Sequence, residues 1–361
     1  MGSFDGTLFS NEIFSSLFNM IISQEVFADN IAGTFGSLVD RSRVEGTLYG
    51  DTKLYYSPDV LQSYAWGNDA EAANLLEINR PEAPECQAIT INVFRQIRLT
   101  VDNYLSKRAW STADAFGTFN SVMLGMIRET KKIYDATTFN AFVGTAKSPI
   151  AAQNIEIDLT TAVGSATGEE KARIEGAVIG EKIANLITDL EDVSRDFNDY
   201  NQLKSYNIDD LEFVWNAHAV SKIEKRDLPT IYHNEIIKKF GETQLPARYF
   251  GDINAQAKTG DGIIRSMVEQ IVKKSGSPDV HVFAGDLIPE GYSVDANKSY
   301  TPDDKMLFIV MHKRSVPYMS AFEAGTSFFN PRSLTENNYL TWGHNTLEYL
   351  KRYPYIRVKS K

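Results

Sequence analysis

Alternation of apolar and polar side chains runs longest between Ile89 and Val101, where Ile89, Ile91, Val93, Ile97, Leu99 and Val101 are apolar and only Arg95 interrupts. Thr90, Asn92, Gln96, Arg98 and Thr100 occupy the even positions, with Phe94 the exception. A period of two over this stretch predicts a strand of about 43 Å at roughly 3.3 Å per residue, against a usual five or six residues. Such a strand overhangs a compact domain and leaves backbone groups unpaired unless another chain or a paired arm covers them. Two shorter strands joined by a bulge near Arg95 fit the same pattern.

Helical spacing appears in three places. Phe9, Ile13, Phe14, Leu17, Phe18, Ile21 and Ile22 form a stripe at intervals of three and four, which predicts an amphipathic helix within residues 1–30 whose core partner is not local. Ser111 and Asp114 make a capping-box-like start, and Phe116, Phe119, Met123, Met126, Ile127 and Ile133 continue it, predicting a helix over 111–134 of about 36 Å, comparable to the preceding strand. Thr167 and Glu170 open a third, with Ile179, Ile183, Leu186, Ile187, Leu190, Val193 and Phe197 on one face. Gly176 and Gly180, and too few heptads, favour packing on a sheet over a coiled coil.

The remaining segments change texture. Residues 32–81 contain turn signals and short aromatic runs with little periodicity, as expected of an extended, loosely structured stretch. Alternation at Leu211, Phe213, Trp215, Ala217 and Ala219, the Val280–Phe283 segment and the apolar run Met306–Met311 predict strands. Residues 241–262 and 275–302 are rich in Gly, Pro, Asp and Asn, as surface loops are, and residues 346–358 predict a final strand or hairpin.

Composition narrows the function. A chain of 361 residues with 43% hydrophobic content can bury a sizeable core in two or three units. Lys plus Arg total 37 against 47 Asp plus Glu, a net charge of −10 that disfavours a surface designed to read nucleic acid. Cys86 is the only cysteine, so no intrachain disulfide or Cys-rich zinc site can form and a reducing compartment fits. No apolar run approaches the roughly 18 to 20 residues that span a bilayer, and the N-terminus has no basic n-region, so neither membrane insertion nor secretion is expected.

Candidate chemistry is sparse. His218, His233, His281, His312 and His344 include no pair three or four residues apart that would set two metal ligands on one helical face. His218 and His312 fall in strand-like apolar runs, where a hydrogen-bonded structural imidazole is expected. Gly144-Thr145-Ala146-Lys147-Ser148 lacks the glycine that a phosphate loop places before its lysine, and the glycines of Lys258–Gly262 make no dinucleotide fingerprint. The carboxylates at Asp189, Glu191 and Asp192, at Asp209, Asp210 and Glu212, and at Asp303 and Asp304 lack calcium-loop spacing. Ser327 after Gly325 does not complete a nucleophile elbow. No catalytic, cofactor-binding or metal residue is assigned and the chain is not expected to be an enzyme. A hydrolase with a site assembled from dispersed residues, such as His218 with Asp210, is the alternative from another class.

The order of elements resembles the Hong Kong 97-type major capsid proteins of tailed bacteriophages. The matching residues are Gln87–Val101 followed by Asp102-Asn103-Tyr104-Leu105 and the helix from Ser111. Phe329-Asn330-Pro331-Arg332-Ser333-Leu334, Asn338-Tyr339 and Trp342 are similar to the corresponding region of short-tailed phages of Gram-positive hosts. The resemblance implies an α+β fold with an N-terminal arm (1–45), an extended loop (46–88), a peripheral domain (89–208) with a spine helix at 111–134, an axial domain (209–325) and a C-terminal return (326–361). It implies homo-oligomerisation as hexamers and pentamers into an icosahedral shell enclosing double-stranded DNA without sequence-specific binding. A scaffolding protein and a portal are the implied partners, with assembly in the bacterial cytoplasm and residence in the virion. Many family members begin with a long cleaved helical domain, whereas here the arm starts almost at Met1, so a separate scaffold or a mature form is implied. Lys53 is the only lysine between Arg43 and Lys107, and cross-linking through it is not expected. An encapsulin-like nanocompartment is the alternative within the same fold.

Overall fold

A computed structural model describes residues 37–45, 52–63, 78, 80–102, 113–219, 243–253, 269–273, 280–283, 293–294, 300–303 and 305–361. The expected N-terminal helix, the cap at Ser111, His233 and the loop 258–262 lie outside them. In chain order the elements begin with α1 (Ser37–Arg41), β1 (Arg43–Glu45), β2 (Thr52–Ser57), β3 (Glu85–Asp102) and α2 (Ala113–Thr145). Next come β4 (Asn154–Ile157), α3 (Leu159–Val163), α4 (Gly168–Glu191), β5 (Leu211–Asn216), β6 (Thr243–Leu245) and β7 (Gly251–Ile253). The short strands β8 (Glu269–Lys273), β9 (Val280–Phe283), β10 (Ser293–Val294) and β11 (Tyr300–Pro302) follow. The chain ends with β12 (Met306–His312), β13 (Tyr318–Asn330), β14 (Thr335–Asn345) and β15 (Tyr355–Ser360).

The chain divides into two compact units, the larger comprising Phe35–Arg95, Tyr134–Glu323 and Thr341–Lys361, the smaller Met1–Thr34, Gln96–Ile133 and Ala324–Leu340. In the larger unit a five-stranded sheet in the order β4-β15-β12-β5-β6 carries helices on both faces. Phe139, Phe142 and Val143 of α2 share one core with Val214, Ile309, Met311 and Tyr355. Ile183, Leu186, Ile187 and Leu190 of α4 share the other with Phe213, Trp215, Phe308, Val310 and Ile356. Alternate residues of each central strand therefore enter opposite cores, which explains why Met306–Met311 reads as an unbroken apolar run. Covering both faces also explains why α4 needs only one stripe, Ala172 to Leu190, with Gly176 and Gly180 buried on it.

The alternation at 89–101 belongs to a single strand without a break at Arg95, and the strand is longer than the pattern predicts. β3 has 18 residues, about 60 Å at 3.3 Å each. Gln87, Ile89, Ile91 and Val93 are buried while Ala88, Thr90, Asn92 and Phe94 are exposed, so the period of two is a physical division of the strand into a covered and an open face. It pairs antiparallel with β2, Thr52 opposite Thr90 and Ser57 opposite Glu85, within a second five-stranded sheet ordered β1-β13-β14-β3-β2. The strand expected at Val280–Phe283 is present as β9, in a three-stranded sheet β10-β8-β9, while β10 and the two-stranded pair β11-β7 occupy stretches expected to be loops.

Three boundaries depart from the pattern. Helix α2 has 33 residues, about 50 Å, and runs on past Tyr134 to Thr145. Its continuation was hidden because Asp135, Thr137, Thr138 and Asn140 are polar yet buried, and they interrupt the apolar stripe. The strand expected over Leu211–Ala219 ends at Asn216, whose side chain accepts the backbone N–H of His218 at 3.1 Å and turns the chain into a helical 217–219. Helix α4 ends at Glu191, short of the expected Val193 and Phe197; Thr167 stands at its N-cap as expected, but its side chain makes no capping hydrogen bond. The hairpin β13–β14 is absent from the sequence reading: Glu323–Phe329 are all exposed, so no face repeats.

Candidate functional site

The dispersed pair of the hydrolase reading is not assembled. Asp210 immediately precedes β5 and His218 follows it, so about 20 Å of extended strand separates them. Both are exposed. His312 lies at the end of β12 with its ring stacked on Tyr353, centroids 4.1 Å apart, and its Nδ1 accepts the Arg314 N–H at 3.0 Å. Burial, reinforced by Arg314, Arg352 and Lys313, pushes its pKa down to about 4, against a weaker opposing pull from Asp210. The ring is neutral near neutral pH.

Residues 144–148, which superficially suggest a phosphate loop, are consumed by structure. A Cβ on Gly144 would lie 2.0 Å from the Tyr249 carbonyl oxygen, so this position closes a helix against backbone. The Ser148 hydroxyl donates to Asp199 at 2.7 Å and accepts the Ile150 N–H. Asp199 also accepts from Gln153 Nε2 at 2.9 Å and from the Tyr349 hydroxyl. The carboxylate runs are similarly dispersed. Asp189, Glu191 and Asp192 are exposed at the end of α4, whereas Glu212 is buried and accepts from Arg41 and Thr243, each at 2.9 Å. Asp303 accepts the Lys305 N–H at 3.0 Å, and Asp304 lies outside the described residues. Ser327 lies on an exposed stretch of β13, and Lys53 is exposed with its ammonium 5.7 Å from the Tyr55 ring centre. Among the described residues no group of His, Cys, Asp or Glu could hold a metal ion, and no helix is long and apolar enough to cross a membrane.

The densest polar cluster was not legible in the sequence. Asp135 is 1% exposed on α2 and accepts from the Tyr318 hydroxyl of β13 at 2.6 Å and from Arg43 of β1 at 3.2 Å. Burial and the adjacent carboxylate raise the Tyr318 pKa. Burial alone lowers that of Arg43, but Asp40 and Asp135 outweigh it and raise it. The Tyr318 ring stacks on His344 of β14, whose Nδ1 meets the Asn345 carbonyl at 2.8 Å. A carbonyl only accepts, so Nδ1 carries the proton and Nε2 accepts from Tyr134, 3.2 Å away. Arg95 Nε–H donates to the same hydroxyl at 3.2 Å. Both imidazole nitrogens are engaged in hydrogen bonds and the ring is buried, which leaves no lone pair for a metal. The cluster is a clamp: it fixes β1, β3, α2, β13 and β14 to one another at their shared end in the larger unit.

Extended surface, in contrast, is plentiful. In the larger unit Leu54 and Tyr56 on β2, Phe94 on β3 and Val60 and Leu61 beyond β2 are exposed large apolar residues. Ser57 and Asp59 anchor that stretch: Ser57 and Gln202 hydrogen-bond reciprocally, and Asp59 accepts from Leu203 N–H and Arg195. In the smaller unit β13 and β14 meet in a turn at 331–334, where Asn330 accepts the Arg332 N–H at 3.0 Å and Leu334 has φ of +56°. Phe328 and Phe329 beside this turn are 63% and 50% exposed. Contiguous exposed apolar surface is a feature of protein interaction sites.

Known proteins point the same way. A family model described as Phi29-like phage major capsid protein matches residues 4–351. The capsid structure of Staphylococcus phage Andhra is similar at 11% identity with a TM-score of 0.60, over 93% of this chain and 87% of that one. A structure of the head fiber and inner core protein of bacteriophage P68 is similar at 10% identity, TM-score 0.59, with the same coverages. The capsid of Cyanophage P-SCSP1u gives 9% identity and a TM-score of 0.51, over 93% and 90%. No curated protein matches the sequence. These structures share the Hong Kong 97-type capsid fold with this chain. With its exposed hairpins, closed polar clamp and family match over nearly its whole length, the chain belongs to the Phi29-like phage major capsid proteins, the structural proteins of the phage head shell.

Proposed function

We propose that the chain assembles as hexamers and pentamers into an icosahedral shell around double-stranded DNA, with a separate scaffolding protein and a portal, in the cytoplasm of the host bacterium. In this reading residues 1–45 act as an arm, 46–88 as an extended loop, 89–208 as the peripheral domain, 209–325 as the axial domain and 326–361 as the return. The chain has no catalytic role. The observation that carries the reading is the length and openness of the paired hairpins: an 18-residue strand with one exposed face, and the exposed Phe328 and Phe329, bury their surface only against other chains. Heterologous contacts that close on rotation give rings, and rings of six and five together close a shell. Electron microscopy of the purified chain, with and without its scaffold, tests this. Closed shells with five- and six-fold capsomers are expected; a chain that stays monomeric under all assembly conditions overturns the reading.

A further inference from the structure

Three aliphatic side chains are held out into solvent at one end of α4 in the larger unit. Leu61 is 76% exposed, and Val60 and Val193 are each more than half exposed. Their backbone is pinned. Asp59 accepts the Leu203 N–H at 3.0 Å and Arg195 at 2.9 Å, and the Lys204 ammonium donates to the Pro58 carbonyl at 3.1 Å. Val193 belongs to the same stretch: Ser194, which follows it, exchanges backbone hydrogen bonds with Lys204 at 3.0 Å, and Arg195 comes next. The charge beside these side chains is negative. Asp189, Glu191, Asp192 and Asp196 are exposed, and none of them is in an ion pair among the described residues. The last turn of α4 carries no basic residue, although a helix C-terminus is partly negative and is stabilised by cations. The neighbouring cations do not cancel this charge. Arg195 is taken by Asp59, Lys182 lies beside Glu181 two turns back on α4, and Lys204, with Arg352 acting on it, is turned to Pro58. Four carboxylates therefore crowd where they destabilise the free chain and where a cationic partner would neutralise them.

We infer that this surface docks a basic, amphipathic helix of the scaffolding protein. The helix would set its aliphatic stripe over Val60, Leu61 and Val193 and its lysines or arginines against the end of α4. A small apolar centre inside a charged rim is the make-up of a contact that forms and releases, whereas permanent contacts are larger and more apolar. That favours a temporary partner over a second copy of the chain. The inference rests on the shell reading, which supplies the separate scaffold.

Charge reversal in the full-length chain tests it. Asp189→Lys with Glu191→Lys alters the surface, and Glu169→Lys with Glu170→Lys makes the same change of charge at the opposite end of α4. Binding of the purified scaffolding protein is measured by titration calorimetry on the unassembled chain. The surface reversal is expected to raise Kd roughly tenfold or more and the distant reversal by less than about twofold. The surface reversal should also melt no lower than the parent, because it places cations at a helix C-terminus. Val60→Ser with Leu61→Ser is expected to weaken binding by a similar factor without lowering the melting temperature. Equal losses from the two reversals overturn the inference, since they would show attraction to net charge alone. So does unchanged scaffold binding by the surface reversal; if that variant then fails to close shells, the surface belongs to a second copy. The unaltered chain, run with the scaffold, separates this from failure of the shell reading. If it forms no shells, that reading has failed; if it forms shells but binds no scaffold, only the docking inference has.

Discussion

At the residue scale, Gly144 shows how a motif-like glycine can be explained by packing. Its missing Cβ makes room for the Tyr249 carbonyl, and the obstacle is backbone, which cannot rotate away as a flexible side chain would. Gly144→Ala is expected to cost about 3 kcal/mol or more by overpacking a closed contact, read from the urea midpoint. A loss under about 0.5 kcal/mol would show that α2 is not seated as described. His312 makes a second case. Its folded-state pKa of about 4 lies below the unfolded value of roughly 6.5, so the neutral form is the one the fold favours. The stability it contributes is fully present above pH 6.5 and is lost as the pH falls through the window down to about 4, because the unfolded chain takes the proton first. After discounting for partial exposure, roughly 2 kcal/mol separates pH 7 from pH 4 at this residue. His312→Gln should flatten the melting-temperature profile over that window; an unchanged profile would remove His312 as its source. Asp135 makes a third. Asp135→Ala strands the Tyr318 hydroxyl and one side of Arg43, and a loss of about 2 to 3 kcal/mol is expected in the same denaturation measurement.

At the scale of elements, β3 was the most legible feature and tests most directly what its pattern means. Ile89 is 2% exposed, while its neighbour Ala88 is open to solvent opposite Leu54 on β2. Successive side chains on a strand point to opposite faces, so the same lysine should have opposite consequences one residue apart. Ile89→Lys is expected to cost about 3 kcal/mol or more, or to leave the protein insoluble, and Ala88→Lys to stay within about 0.5 kcal/mol of the parent. Comparable losses at both positions would contradict the two-faced strand. Legibility followed burial symmetry. β3 and α4 each have one covered face, so their periods of two and of three to four stand out in the sequence. The central strand β12 is covered on both sides and shows only as an apolar run. The second half of α2 was concealed by Asp135 and Thr138, polar residues that the fold buries, and Asp135 is satisfied by Arg43 and Tyr318, far away in sequence. The clamp that includes His344 was unreadable for the same reason, since its members are drawn from positions 43 to 345. Hairpin β13–β14 escaped because residues 323–329 of β13 are exposed on both faces, so burial imposes no period there.

At the scale of the whole molecule, that missing period is itself informative. Phe328 and Phe329 are consecutive on a strand and so point to opposite faces, yet both are largely exposed. Aromatic side chains open on both faces of a strand suit neighbours on two sides, the condition a subunit in a continuous shell meets. Fully burying one phenylalanine is worth about 1.5 to 3 kcal/mol, and each 1.4 kcal/mol is a factor of ten in an equilibrium constant. Phe328→Ser with Phe329→Ser removes no contact from either core of the larger unit, so its melting temperature should match that of the parent. Its assembly should not. The concentration at which closed shells first sediment is expected to rise at least tenfold, since each subunit loses two apolar contacts to its neighbours. Shells forming at the parent's concentration would mean that these aromatics face solvent in the assembled head and that the contact surface lies elsewhere on the chain. A lowered melting temperature would mean that they support the hairpin itself. An unchanged fold that cannot close assigns them to the shell.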